Sequence, residues 1–210
     1  MLNLICGSIP LDKGTILINN QKINTLKEFE RYKTIGRVYQ DPSKGTCPTM
    51  TILENMSLAD NKNRSFNLSW GTNKKRIDYY KELLSQLNLG LEDKLGVKVG
   101  LLSGGQRQAM ALLMTTMSPI EILILDEHTA ALDPKTAEII MELTNNIVKK
   151  KKITTLMVTH NLMHALHYGN RLIMMHEGNA IMDLNEQDKK STSVDNILNV
   201  FNKISLERGN

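Results

Sequence analysis

The stretch ILILDEHTAALDP, residues 122–134, decides how this chain is read. Its first four residues are apolar without alternation. That is how a strand buried on both faces reads, as in a parallel sheet covered by helices. The run ends in two adjacent acids, Asp126 and Glu127. In open α/β sheets, ligands bind beyond the carboxyl ends of the strands. An aspartate there can hold Mg²⁺ beside nucleotide phosphates, and a neighbouring glutamate can polarise an attacking water. On their own, two acids closing a strand are also an ordinary solvated strand end.

The flanks extend the pattern in both directions. Downstream, Asp133 is a helix cap, Pro134 suits the first helical position, and the lysines at 149–152 close the helix favourably for its dipole. That lysine run is a solvated helix end rather than a nucleic-acid patch. ITTLMV, residues 153–158, is a second apolar run of the doubly buried kind and leads to His160. Strand, helix, strand makes a βαβ unit, and Asp126, Glu127 and His160 are expected to converge on one crevice. Upstream, LLSGGQRQAMALLMTTM, residues 101–117, sets two glycines between a serine and a long helical pattern. Glycines admit close backbone approach, and a helix N-terminus favours an anion such as phosphate. A tight turn capping an ordinary helix has the same look.

Further strands are expected at 15–18, 34–39, 171–175 and 180–184. Residues from about 50 to 115 read as a helical subdomain inserted in the α/β core. TILE, residues 51–54, has capping-box spacing. NKNRSFNLSWGTNKK, residues 61–75, reads as an exposed excursion. RIDYYKELLSQLNL carries Ile77, Tyr80, Leu83, Leu84 and Leu87 on one stripe. SVDNILNVFNKI, residues 193–204, is another amphipathic helix. The expected whole is a single domain over 1–210.

Composition narrows the classes. With 41% hydrophobic residues the chain can bury a real core, and a net charge of +4 over 210 residues is only mildly basic. Aromatic residues are 4% of the chain, which weakens a base-stacking reading, so no nucleic-acid partner is expected. Two cysteines, Cys6 and Cys47, suggest a reducing compartment rather than a disulfide scaffold. No apolar run approaches the roughly 18 residues of a membrane span. His160, His164 and His167 share helical spacing, but no carboxylate or cysteine partner stands near them in sequence.

LSGGQ, ILILDE, AALD and VTH, in that order, resemble the nucleotide-binding domain of ATP-binding cassette transporters. The GTILINN hairpin, the glutamine of VYQDP and the helical subdomain also fit, so the resemblance covers nearly the whole chain. It implies an α/β P-loop NTPase-like fold, with a mostly parallel sheet flanked by helices, and roles for matched positions. Gln40 would be the Q-loop glutamine, sensing Mg²⁺ and water and coupling to membrane subunits. Ser103, Gly104 and Gly105, with Gln106, would contact the γ-phosphate held by the opposite subunit of a dimer. Asp126 would be the Walker B carboxylate, holding Mg²⁺ with Gln40, and Glu127 the general base. Asp133 would lie in the D-loop at the dimer interface, and His160 would be the switch histidine. The family often has proline after the Asp-Glu pair, where this chain has His128. DEHTAALDPKT resembles a subgroup of bacterial importer ATPases, some thought to handle amino acids.

The implied cofactors are ATP and Mg²⁺. The implied partners are transmembrane permease subunits, a second nucleotide-binding subunit in a homodimer and, indirectly, an extracytoplasmic substrate-binding protein. The implied location is the cytoplasmic face of the membrane. A non-transport ATPase of the same superfamily and an inactive truncated fragment are the alternatives. The phosphate-cradling G-x-x-x-x-G-K-S/T loop has no match in the sequence. GSIPLDKGT has the wrong spacing, with Pro10 inside it. MLNLICGSIPLDKGTI instead matches the helix that follows that loop in the family. The N-terminal strands and the P-loop are therefore expected to be missing from this sequence, and the first residues are expected to form a helix without a capping residue.

Overall fold

The computed structural model describes residues 1–63 and 71–207, and residues 64–70 of the expected excursion at 61–75 lie outside them. Two compact units make up the chain, Met1–Val158 and Thr159–Asn210.

The first unit begins with helix α1, Leu2–Cys6, whose N-cap Met1 makes no side-chain cap bond. Its C-terminal end is closed by a buried cation instead. Arg31 Nη1 donates to the carbonyls of Leu4 at 2.8 Å and Ile5 at 3.0 Å, favourable chemistry for the negative end of a helix. Strands β1, Leu17–Ile18, and β2, Gln21–Lys22, pair antiparallel. Between them Asn19 and Asn20 both take positive φ, 48° and 63°, the mark of a tight two-residue hairpin. The strand expected at 15–18 thus shrinks to two paired residues. A short helix α2, Glu28–Arg31, precedes strand β3, Ile35–Val38.

Strands β3, β4 (Ile122–Asp126) and β5 (Thr154–Val158) form a parallel sheet in that order. β4 is central, and both its faces are buried. Ile124 joins Cys6, Ile18, Ile23 and Ile35 on one side. Leu123 and Leu125 join Val38 and Leu112 on the other. This explains the unbroken apolar run ILIL. β5 departs from the sequence reading. It lies at the edge of this sheet and none of its residues is fully buried. Lack of alternation predicted burial on both faces, but β5 opens on two threonines, with Thr154 exposed and the other four residues part-buried.

The helical part packs around its own apolar cluster. Helix α3, Ile52–Asp60, starts on a capping box in which Thr51 and Glu54 satisfy each other's backbone amides. Ile52 and Met56 from α3, Tyr80 and Leu84 from α4 (Ile77–Ser85), and Ala109, Met110 and Leu113 from α5 (Gly104–Met117) meet there. Helix α6, Pro134–Lys151, adds Ile140 to the same cluster and Leu143 and Ile147 to the cover of the sheet.

The second unit contains α7, Leu162–His167, then the antiparallel pair β6, Leu172–His176, and β7, Asn179–Leu184. Arg171 binds Asp183 across this pair through Nε at 2.8 Å and Nη2 at 2.6 Å. Helices α8, Glu186–Ser191, and α9, Val194–Glu207, follow. Lys189, almost fully buried, donates to the carbonyl of Gly169 at 2.9 Å and also to that of Tyr168.

Candidate functional site

The parallel register of β3 and β4 sets Val38 beside Leu125, so both chains leave the sheet at the same edge. β4 ends in Asp126, and β3 runs on through Tyr39 to an exposed Gln40. Asp126 and Gln40 line one cavity of about 400 Å³, with Asn3, Arg37, Tyr39 and Lys44 also in its wall. Two of the residues singled out from sequence are thus brought to one place by sheet topology.

Arg37 dominates the electrostatics of this cavity. Its Nη2 donates to Asp126 Oδ2 at 2.5 Å, its Nη1 donates to Asn3 Oδ1 at 2.9 Å, and its guanidinium carbon lies 4.7 Å from the centre of the Tyr39 ring. Burial works against the charge on Arg37. Burial is the largest single influence, but the hydrogen bond to Asp126 together with smaller favourable contributions outweighs it, so the guanidinium is held more firmly protonated than usual. The sequence pattern at 34–39 points to a strand and does not single out Arg37. The signal was a single cation inside an otherwise apolar run, IGRVY.

Glu127, half-buried, follows in the left-handed region, with φ 47°. Its amide donates to the Val158 carbonyl at 3.0 Å, which carries the β4–β5 ladder one bond further. Its own carbonyl accepts from the Ala130 amide at 2.9 Å, closing a turn. His128 is buried, with Nε2 3.1 Å from Thr144 Oγ1 on α6. In the sequence it registered only as a departure from the family pattern.

Ser103 is the N-cap of α5 rather than part of the cavity wall. Its hydroxyl accepts from the Gln106 amide at 3.2 Å, and Gln106 Oε1 accepts from the Ser103 amide at 3.2 Å. The Gln106 side chain also donates to the Leu89 carbonyl at 3.2 Å. S-x-x-Q is itself a capping box, a signal that the phosphate reading passed over. Gly105 has a packing reason to lack a side chain. A Cβ there would stand 2.3 Å from Thr136 Cγ2, so the N-terminal turns of α5 and α6 approach too closely for alanine. Asp133 caps α6, its Oδ1 accepting from the Thr136 amide at 3.1 Å. Hydrogen bonds from Thr136 hold its carboxyl below the usual aspartate range. His160 belongs to the second unit, where it is exposed just before α7.

Asp126 and Gln40 offer one carboxylate and one amide oxygen to a cation. Among the described residues no group of three or more His, Cys, Asp or Glu could hold a metal ion. That donor set fits Mg²⁺, which dehydrates reluctantly and is usually held by one or two carboxylates together with substrate phosphates and water. Such an ion would compete with Arg37 for Asp126. Among the described residues no helix is long and apolar enough to cross a membrane.

The sequence profile described as ABC transporter matches residues 1–130. A tyrosine transport ATP-binding protein of Clostridioides difficile is 47% identical over 201 residues, covering 96% of this chain and 80% of that protein. A phosphonates import ATP-binding protein of Lactococcus lactis is 28% identical, over 94% of this chain and 80% of its own length. Among solved structures, an ATP-binding cassette captured as a dimer in a post-hydrolysis state with ADP and Pi bound superposes with a TM-score of 0.71. It is 30% identical and covers 88% of this chain and 78% of that one.

Proposed function

The chain belongs to the ABC transporter family and is an ATP-binding and ATP-hydrolysing subunit of a transport system; on that premise we propose that Asp126, Glu127 and Gln40 form the working edge of its hydrolytic site. The observation that carries this reading is the common cavity of Gln40 and Asp126 at the carboxyl ends of adjacent parallel strands. Glu127 stands one residue beyond, where a general base belongs. Asp126 and Gln40 would hold Mg²⁺, which when bound neutralises charge on the nucleotide phosphates. Glu127 takes the proton of the attacking water. The first turn of α5 carries the backbone amides that a helix start presents to an anion, and Ser103, Gly104, Gly105 and Gln106 would meet the γ-phosphate bound by a second copy. Asp133 would lie at that dimer interface, and His160 would touch the same phosphate.

The rest of the assembly follows the same reading. Two copies sit at the cytoplasmic face of the membrane beneath permease subunits, and an extracytoplasmic binding protein delivers the solute. The two units together serve as one ATPase domain, with the helices of about 50–115 as its inserted subdomain. Identity of 47% to a tyrosine transport subunit favours an aromatic amino acid as cargo. The test is uptake into vesicles that contain the assembled transporter. ATP-dependent accumulation of tyrosine supports the proposal. ATP hydrolysis without uptake of any amino acid rejects the cargo, and no hydrolysis with any partner rejects the site.

A further inference from the structure

Glu127 occupies a backbone conformation that its residue type disfavours, with φ at 47°. Such a conformation persists only where its surroundings over-determine it. Two backbone hydrogen bonds, to Val158 and from Ala130, hold the peptide itself. A third restraint comes from the next side chain. His128 is 2% exposed, and its Nε2 lies 3.1 Å from Thr144 Oγ1 in the middle of α6. The Thr144 hydroxyl donates its single hydrogen to the Ile140 carbonyl at 2.7 Å. Towards His128 its oxygen therefore only accepts, so Nε2 carries the hydrogen and donates. The direction of the bond is fixed by the helix behind it.

We propose that His128 is a positioning residue, whose Nε2–H bond to Thr144 locks the turn that aims the Glu127 carboxylate. The proposal rests on the reading of Glu127 as general base. Where relatives have proline after the acidic pair, the ring restricts φ covalently. Here a buried side-chain tie to α6 does the same work. The Asp133 cap anchors the far end of the same turn to α6, so the segment between Glu127 and Asp133 is fastened to one helix at two points.

The test uses Thr144→Val, which removes the acceptor at nearly constant volume, and Thr144→Ser, which keeps it. In the 210-residue chain, hydrogen exchange of the Ala130 amide should quicken about five- to tenfold in T144V. It should stay at the wild-type rate in T144S, and the amides of β4 should not change. In the assembled transporter T144V should lower kcat about tenfold with the KM for ATP unchanged, and the added substitution His128→Pro should restore turnover. Equal Ala130 exchange in T144V and wild type overturns the tie. So does acceleration spread evenly over β4, which marks a purely structural loss. Quickened exchange with an unaltered kcat overturns its catalytic purpose. The exchange measurement involves no ATP, so it reports on the tie even if the reading of Glu127 fails.

Discussion

Asp126 Oδ2 and Arg37 Nη2 lie 2.5 Å apart, on adjacent parallel strands, at the wall of the cavity that also contains Gln40. The Arg37 side chain is 11% exposed and that of Asp126 30%. The pair is therefore part desolvated, and neither charge is well served by water alone. Any cation brought to Asp126 would have to compete with Arg37 for the carboxylate.

Arg37→Met should destabilise the fold by about 1–3 kcal/mol, the usual range for a lost hydrogen bond to a charged group. Chemical denaturation of R37M, D126N and the double variant checks this. The double variant should cost less than the sum of the singles, because groups in direct contact couple. Additive costs would mean that the contact contributes nothing.

Gly105→Ala should open the contact between the starts of α5 and α6, since the new Cβ would meet Thr136 Cγ2 at 2.3 Å. Overpacking of this kind costs about 1–3 kcal/mol. Thr136→Ser deletes the clashing methyl and keeps the amide that binds Asp133, so the G105A/T136S variant should recover most of the loss. A melting-temperature series over the single and double variants gives the answer. A double variant no better than G105A would place the clash elsewhere.

The Asp133 cap should show a distinct pH dependence. Hydrogen bonds from Thr136 depress its folded-state pKa. A depressed carboxylate stabilises the fold above its unfolded pKa of about 3.9, and that contribution fades as pH falls through the lower folded value. Asp133→Ala should therefore lower the melting temperature at pH 7, and the gap to wild type should narrow below pH ~4. A gap independent of pH would assign the effect to something other than the charged cap.

Local signals were legible wherever neighbours in sequence decide the outcome. The caps at Thr51 and Asp133, the α4 stripe and the doubly buried β4 all follow from spacing or period within a few residues. Contacts made between distant segments were not legible. Arg37 and Asp126 are 89 positions apart and meet only because β3 and β4 pair in parallel. The His128–Thr144 bond depends on how α6 lies against the turn before it. β5 shares with β4 a run without clear alternation, yet its threonines and its place at one edge of the sheet leave it only part-buried. Gln106 has a locally encoded role as well, since S-x-x-Q spacing is enough to specify the capping box that it forms with Ser103.

ATP turnover and ATP binding by Glu127→Gln in the assembled transporter test the central assignment most directly. A lost general base should cost roughly 10²–10⁴-fold in rate, while the phosphate contacts remain. The account predicts turnover at least ~100-fold slower, with an ATP affinity within about twofold of wild type and a nucleotide-bound dimer that accumulates. Turnover at the wild-type rate would remove Glu127 from the chemistry and contradict the account.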